Sequence, residues 1–287
     1  MSTIRERSPA AYLLALPAAL WMTAAVVVPS MLILWVSFWG GRRFTWENHL
    51  VLDNYARFFR NETYVGLIGE TALQAAKIMA ITGVLGYCIA YFLAVMVTRN
   101  SVRLTLFLIL VIPFWTSAVI RSIAWIPFLG VNGVINQALM FLGLTDAPVE
   151  IFLYSRTGIS MAQVSLYTLL AAGPVVYMLR NVPNQLREAA MCLKAPPIVV
   201  FWRIVFPLTL PGVIIGQVLV FLNVMADFAT VAAIGGNKQA LLGNLVLLFY
   251  DSGQLRYAAV VGVMLMLSML VGVVVALRVV DIRRLGE

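Results

Sequence analysis

Two groups of polar residues in this mostly apolar sequence could do chemistry. One is a charged stretch of about residues 180–211. The other is four ionisable residues placed within or beside long apolar runs, namely Glu70, Lys77, Arg121 and Asp227. In a membrane span such a residue costs at least about 2.5–3.5 kcal/mol on insertion scales, so it marks a function or a pairing. Both groups therefore need an explanation.

Neither group forms a recognisable catalytic constellation. The sequence has one histidine, no paired carboxylates and no Gly-x-x-x-x-Gly-Lys-Ser/Thr loop of the kind that cradles nucleotide phosphates. The single His49 stands without cysteine or carboxylate at ligand spacing, which is typical of a surface histidine. We therefore expect no catalytic residues, no metal site and no cofactor.

The elements that must position these residues are membrane-spanning helices. Apolar residues make up 62% of the chain and charged residues only 11%, whereas about a quarter of the residues in a soluble domain are charged. A spanning helix needs roughly 20 mostly apolar residues. We expect an all-α polytopic membrane protein with a single transmembrane domain, 1–287. Its six expected spans are about residues 10–39, 67–98, 104–127, 157–179, 212–234 and 257–280.

The lysine and arginine residues in the connections favour an orientation with both termini in the cytoplasm, because cytoplasmic loops are enriched in these residues. The inner set has eleven members: Arg5, Arg7, Arg99, Arg103, Arg180, Arg187, Lys194, Arg203, Arg278, Arg283 and Arg284. The outer set has seven: Arg42, Arg43, Arg57, Arg60, Arg156, Lys238 and Arg256. The net charge of +8 then reflects topology and contact with anionic lipid, and we expect no nucleic-acid partner.

The charged stretch predicts a helix, a break and a second helix. Leu186, Ala189, Ala190 and Leu193 recur at helical spacing and give one apolar face. Proline disfavours continuation of a helix and suits the first turn of the next one, so Pro196-Pro197 is expected to separate the two helices. Pro207 and Pro211 are expected to reset the chain before the fifth span. On this pattern alone, an ordinary interfacial amphipathic helix is the preferred interpretation.

The stretch also carries a resemblance to a known family. Glu188-Ala189-Ala190, followed by the run from Ile204 to Gly212, resembles the "EAA" signature of binding-protein-dependent ABC importer permeases. Pro113-Phe114-Trp115-Thr116-Ser117, Gly133-x-x-Asn136 and Asp227-Phe228-Ala229-Thr230 are similar to motifs of the spermidine/putrescine-type permeases. The resemblance implies a type I ABC importer permease fold in the bacterial inner membrane.

The same resemblance implies partners and contact residues. The partners would be a dimer of cytoplasmic ATP-binding subunits, a second six-span permease subunit and a periplasmic solute-binding protein. The residues expected to contact the ATPase are Arg187, Glu188, Ala189, Ala190, Leu193 and Lys194. The family usually has glycine at the position of Lys194. Because a positive φ is costly for lysine, we expect Pro196-Pro197 to make the break instead.

A translocation path is predicted near the deepest acidic residue. Asp227, Trp115, Tyr167 and Asn223 are the candidates to line it, since a carboxylate and aromatic faces both suit a cationic solute. Structural bonds between helices explain the same residues equally well. Glu70 and Lys77 share a helix face and are a conceivable pair. Gly212 and Gly216 form a small-xxx-small packing pattern, which would also suit contact with a second permease.

The resulting functional hypothesis is a non-enzymatic permease subunit of an ATP-driven importer, with polyamines as the preferred solute. Related permeases for opines, phosphonates, iron or sulfate are alternatives. An ion-driven secondary transporter is a further alternative, although such proteins usually show internal repeats and several midplane acids. A membrane-anchored assembly subunit is a third, and it would not need the helix–break–helix stretch.

Overall fold

A computed structural model describes residues 9–40 and 50–279 of the chain. Helices make up the secondary structure of these ranges, apart from one isolated antiparallel bridge between Trp39 and Leu50. The expected all-α architecture is confirmed. Several residues used above lie outside the described ranges: Arg5, Arg7, Arg42, Arg43, His49, Arg283 and Arg284.

Fourteen α-helices are assigned in the described part of the chain. They are α1 (Pro9–Met22), α2 (Val28–Ser37), α3 (Asp53–Arg60), α4 (Glu62–Tyr91), α5 (Asn100–Val111), α6 (Ala118–Ala124), α7 (Ile126–Leu129), α8 (Val134–Phe141), α9 (Arg156–Asn181), α10 (Asn184–Cys192), α11 (Pro197–Val200), α12 (Phe206–Met225), α13 (Leu242–Asp251) and α14 (Leu255–Val279). Single π-helical turns continue the chain after α1, α4 and α11.

Six helical segments in the described ranges are long and apolar enough to cross a membrane, as the composition predicts. They are Leu16–Ser37, Glu62–Met96, Ala118–Phe141, Arg156–Asn181, Pro197–Met225 and Leu255–Arg278. Two shorter apolar helices, α5 and α13, accompany them. The third apolar region is subdivided, because a 3-10 turn at Ile112–Trp115 separates α5 from α6 and further turns separate α7 from α8.

The centre of the fold is a bundle of α4, α9 and α12. Ala75 and Ile78 of α4, Ala171 of α9 and Val220 of α12 belong to one buried cluster. Small residues let the three backbones approach closely. A β-carbon at Gly216 would lie 2.6 Å from the Ala171 carbonyl oxygen, so only glycine fits there.

The small-xxx-small pattern therefore has its partner inside this chain. A β-carbon at Gly212 would lie 2.7 Å from the carbonyl oxygen of Pro174, also on α9. Both glycines of α12 thus face α9. The option of a contact with a second permease does not apply to this helix face.

The peripheral helices leave much apolar surface uncovered. Trp21, Trp115 and Phe141 are 75%, 87% and 90% exposed. Soluble monomers rarely expose contiguous apolar surface on this scale. Exposed apolar side chains are expected in a membrane protein, because its outer surface within the bilayer contacts lipid.

The fifth span is continuous with the second helix of the charged stretch. Helix α11 passes through the π-helical turn Phe201–Val205 directly into α12, so Pro207 and Pro211 lie within one helical rod from Pro197 to Met225. The expectation that these prolines reset the chain is wrong. The π-helical turn closely precedes Pro207, and a local π-helical adjustment is one way in which a membrane helix tolerates a proline.

Candidate functional site

The predicted helix of the charged stretch is present as α10, Asn184–Cys192. Pro183 precedes it with an extended backbone, and Pro196 and Pro197 begin α11 as expected. The two helices, with the turn between them, form an elbow of residues 184–202 that connects α9 to α12. We call this segment the elbow.

The break in the elbow is made by Lys194, contrary to the expectation from the sequence. Lys194 has φ +55°. Its backbone N–H donates to the Met191 carbonyl (2.9 Å), and the Ala195 N–H donates to the Ala190 carbonyl (3.1 Å). These two bonds define a Schellman motif, which usually has glycine at the left-handed position. They satisfy carbonyls at the end of α10, which explains why the lysine adopts a costly conformation.

Most of the apolar face of α10 is uncovered. Of the four residues that define it, only Ala190 is buried, at 8% exposure. Leu186 and Leu193 are 42% and 83% exposed, and Ala189 is exposed as well. Met191, Ile198 and Trp202 add further exposed apolar area on the elbow. Glu188 is exposed beside them.

Aromatic side chains fix the elbow to the bundle. The Phe201 ring lies 5.7 Å from the Tyr87 ring and 5.8 Å from the Tyr91 ring, both on α4. Tyr87 also shares a hydrogen bond with the Thr209 hydroxyl on α12 (3.0 Å). Arg187 is half-buried, and its Nε has no hydrogen-bond partner among the described residues. The elbow therefore packs against α4 through Phe201, and most of the apolar face of α10 is exposed.

A second polar site lies at the opposite end of the bundle. Gln74 of α4 donates from Nε2 to the Ser160 hydroxyl (3.0 Å) and to the Gln163 Oε1 (2.9 Å), both on α9. Gln163 then donates to Oδ2 of Asp227 (3.0 Å). The backbone N–H of Thr230 donates to Oδ1 of the same carboxylate (2.9 Å). We call this chain of contacts the polar network.

Asp227 lies at a break in the backbone and is 7% exposed. Helix α12 ends at Met225, and the next helical turn begins after Asp227. The placement expected from the sequence, within the fifth helix, is therefore corrected to a position just beyond its end. Because both carboxylate oxygens accept hydrogen bonds, the side chain joins α9 to the segment after α12. A cation could reach this carboxylate only if the network opened.

Glu70 and Lys77, which the sequence suggested as a conceivable pair, contact other residues instead. Glu70 forms an ion pair with Arg156 of α9, and the Arg156 Nε donates to Gln239 (3.1 Å). Lys77 donates instead to the Ser160 hydroxyl (3.1 Å). The conceivable Glu70–Lys77 pair is thus replaced by two contacts from α4 to α9. Both contacts lie beside the polar network, which they extend along the two helices.

The four candidates for the translocation path fall into two pairs. Tyr167 is buried at 9% exposure and interacts with the Asp227 carboxylate, one helical turn from Gln163. Trp115 is almost fully exposed, and Asn223 is exposed and donates to the Leu219 carbonyl of its own helix. The structure therefore brings Asp227 and Tyr167 together and leaves Trp115 and Asn223 on the surface.

Arg121 lies close to the first pair. Its guanidinium carbon lies 4.9 Å from the Phe114 ring centroid, and its Nε is buried without a hydrogen-bond partner among the described residues. Ser122, next to it, shares a hydrogen bond with Thr230 (2.9 Å), which ties α6 to the polar network.

Sequence reasoning assigned no contact to three members of the network, Gln74, Ser160 and Thr230, although Thr230 belongs to the quoted motif Asp227-Phe228-Ala229-Thr230. A signal for Gln74 was present, since Glu70, Gln74 and Lys77 follow each other at i, i+4 and i+7 and so line one helix face. Ser160 similarly stands one turn after Arg156. The contact of the Thr230 backbone N–H with Asp227 also had a signal, since an aspartate before a helix commonly accepts from a backbone N–H in its first turn.

Comparison with known proteins identifies the family. Residues 83–283 match the family described as "Binding-protein-dependent transport system inner membrane component". The spermidine/putrescine transport system permease protein PotB of Haemophilus influenzae is 31% identical over 228 residues, which cover 79% of this chain and 78% of the relative. PotB of Escherichia coli is also 31% identical, over 79% of this chain and 81% of the relative.

Solved structures show the same fold. A bacterial ABC transporter involved in the import of the acidic polysaccharide alginate matches with a TM-score of 0.74 and 17% identity, covering 96% of both chains. With this fold, the six apolar helical segments and the matched sequence, the chain belongs to the inner-membrane permease components of binding-protein-dependent ABC importers.

Proposed function

We propose that the elbow is the docking surface for a separate cytoplasmic ATP-binding subunit, and that this chain is one of two permease subunits above an ATPase dimer. The observation that carries the proposal is the uncovered apolar face of the elbow. Leu193, Met191 and Trp202 are 83%, 62% and 56% exposed beside the polar Glu188 and Lys194. An apolar surface rimmed by charged residues is typical of a protein–protein contact.

The stiffness of the elbow supports a coupling role. Changing a two-state population from 1:99 to 99:1 requires about 5.5 kcal/mol of differential binding, which a flexible loop would not transmit. The Schellman motif closes α10, and α11 is one rod with α12. Force applied at the elbow therefore reaches the helix that contacts α9 through Gly212 and Gly216.

The orientation that fits this role places both termini and the elbow in the cytoplasm. Arg180, Arg187, Lys194 and Arg203 all belong to the elbow or flank it, and cytoplasmic loops are enriched in such residues. The polar network then lies toward the periplasm, where a solute-binding protein would deliver the cargo.

Substitutions in α10 test the docking role. Glu188→Lys and Ala189→Glu alter exposed side chains, so we expect unchanged expression and unfolding temperature, together with loss of solute uptake and of ATPase co-purification. Glu150→Lys makes the same charge change on an exposed residue outside the elbow and should have no effect. Normal uptake and normal co-purification in both elbow variants would contradict the proposal.

For the solute we propose a polyamine or a related organic cation. The support comes from the similarity to spermidine/putrescine permeases and from a buried carboxylate with an adjacent aromatic ring, Asp227 and Tyr167, since cations bind both groups. Opening of the polar network would release the carboxylate from Gln163 and present it to an amine. Trp115 and Asn223 remain candidates for contact at the surface of the path.

Radiolabelled uptake distinguishes this solute from alternatives. Cells that express the complete importer should accumulate spermidine or putrescine, and an excess of 2-aminoethylphosphonate should not compete. The choice of phosphonate follows a relative named as a putative 2-aminoethylphosphonate permease, PhnU of Salmonella paratyphi A, which is 32% identical over 44% of this chain. Uptake that persists without the ATP-binding subunit would favour an ion-driven transporter instead.

A further inference from the structure

A cavity of about 130 Å³ lies between α3, α4, α13 and α14, away from both sites described above. Its walls are largely apolar. Phe58, Val260 and Val261 are 3%, 1% and 1% exposed, and Tyr64 and Phe249 pack edge to face with ring centroids 5.7 Å apart. The cavity is therefore suited to an apolar group.

One cationic side chain, Arg57, is among the residues that line this cavity. The Arg57 Nη1 donates to the Tyr257 hydroxyl (2.6 Å), and its guanidinium carbon lies 5.3 Å from that ring centroid. The Arg256 guanidinium carbon lies 5.1 Å from the same centroid. None of the nine described residues that line the cavity is acidic. A guanidinium group in the lining, with no acidic residue among the lining residues, favours an anionic ligand.

The cavity lies at the boundary between membrane and water. Asn61 and Tyr64 stand at the start of α4, and Gln254 and Tyr257 stand at the start of α14, so both spans begin here. Helix α3 presents exposed Phe59 beside its arginines, a pattern typical of a helix that lies in the headgroup region. Arginine side chains can keep their charge at this level while their stems contact lipid.

We propose that this cavity is a binding site for an anionic phospholipid. The lipid phosphate contacts Arg57, and the apolar part next to the headgroup enters between Phe58, Val260 and Val261. A water-soluble phosphate ester shares the headgroup chemistry but leaves the apolar walls uncovered. The inference depends on the membrane location of the chain and is independent of the solute and of the docking role of the elbow.

Native mass spectrometry of the full-length chain in neutral detergent tests the proposal. Phosphatidylglycerol should remain bound, whereas phosphatidylcholine and glycerol 3-phosphate at the same concentration should not. Arg57→Gln should weaken phosphatidylglycerol binding at least about tenfold, the loss expected for one charge-assisted hydrogen bond. Arg60→Gln is the matched control, because Arg60 is one turn away on α3, does not line the cavity and should bind as the wild type does.

A second variant fills the cavity without changing its charge. Gln254 lines the cavity with an exposed side chain, so Gln254→Trp should reduce phosphatidylglycerol binding and leave the unfolding temperature in lipid-free detergent unchanged. Equal binding of the two phospholipids would overturn the proposal. So would equal loss in the Arg57 and Arg60 variants, or competition by glycerol 3-phosphate at the affinity of the lipid.

Discussion

Lys194 holds a backbone conformation that costs an L-residue with a β-carbon about 1–2 kcal/mol. Among the described helices, two others end in the same pair of hydrogen bonds, α8 at Gly143 and α13 at Gly253, and both have glycine at the left-handed position. The elbow is thus the one of these three Schellman ends that is built with a strained residue. The two hydrogen bonds of the motif offset this strain and keep Lys194 in the left-handed conformation.

Exchanging the two residue types should change stability in opposite directions. Lys194→Gly removes the strain and should raise the free energy of unfolding by about 1 kcal/mol, whereas Gly253→Lys should lower it by about 1 kcal/mol. A β-carbon at Gly253 has no atom within 4 Å, so only backbone strain is introduced there. Unfolding in denaturing detergent measures both, and a destabilising Lys194→Gly would contradict this account of the elbow.

Asp227 is predicted to contribute to stability as well as to transport. Asp227→Ala leaves the donors of Gln163 and Thr230 unpaired, and each buried unpaired donor costs about 1–3 kcal/mol. Asp227→Asn keeps one acceptor and places a donor in the position of the other, so it should lower the free energy of unfolding less than Asp227→Ala does, while it loses uptake of a cationic solute. Asp251→Ala, at an exposed acid, is the control. Full uptake by Asp227→Asn would assign the residue a structural role alone.

At the scale of the elements, close contact of α9 with α12 is the main determinant of the bundle. Gly212 and Gly216 bring α12 against the backbone of α9, and Gly86 brings α4 against Ala171 and Ala172 in the same way. The backbones of the three helices meet where no larger side chain fits. The bundle is consequently rigid at the level where the elbow joins it.

Gly216→Val should therefore lower the free energy of unfolding by about 1–3 kcal/mol through overpacking. The control is Gly173→Ala on α9, where a new β-carbon meets no atom within 4 Å. That variant should be neutral or more stable by about 0.5–1 kcal/mol, because alanine loses less conformational entropy in a helix. Equal stability of the two variants would show that the contact at Gly216 is loose.

The helices of the elbow show where sequence reasoning succeeds and where it stops. Apolar spacing and the strong helix formers Glu188 to Ala190 are local signals, and they predict α10 correctly. The continuity of α11 with α12 depends on how a proline is accommodated, and a π-helical turn before Pro207 does this without a sequence signature. The positive φ of Lys194 depends on two backbone hydrogen bonds at the end of α10, and the residue type at position 194 does not indicate them.

For the whole molecule, composition predicts the six apolar segments because the bilayer imposes one length on every span. The polar network could not be predicted in the same way. Its contacts join α4, α9 and the segment after α12, and residues such as Gln74 and Gln163 are 89 positions apart in the chain. Which polar faces meet is decided by helix packing, through the glycine contacts, rather than by any local pattern.

The elbow and the polar network lie at opposite ends of the helix bundle. The uncovered elbow lies at one end of the α4–α9–α12 bundle and the closed polar network at the other. The rod from Pro197 to Met225 connects them, since it begins in the elbow and ends two residues before Asp227. Movement of the elbow is therefore expected to change the network, and the network is the part that must open for a cation to reach Asp227.

The most direct test of the central claim uses Cys192, an exposed thiol at the end of α10. With Cys88 replaced by alanine, a short photo-crosslinker attached to Cys192 should join this chain to the ATP-binding subunit in native membranes. The account predicts one cross-linked product that contains both subunits. Absence of that product from a complex that still imports solute would contradict the claim that the elbow transmits the work of the ATPase.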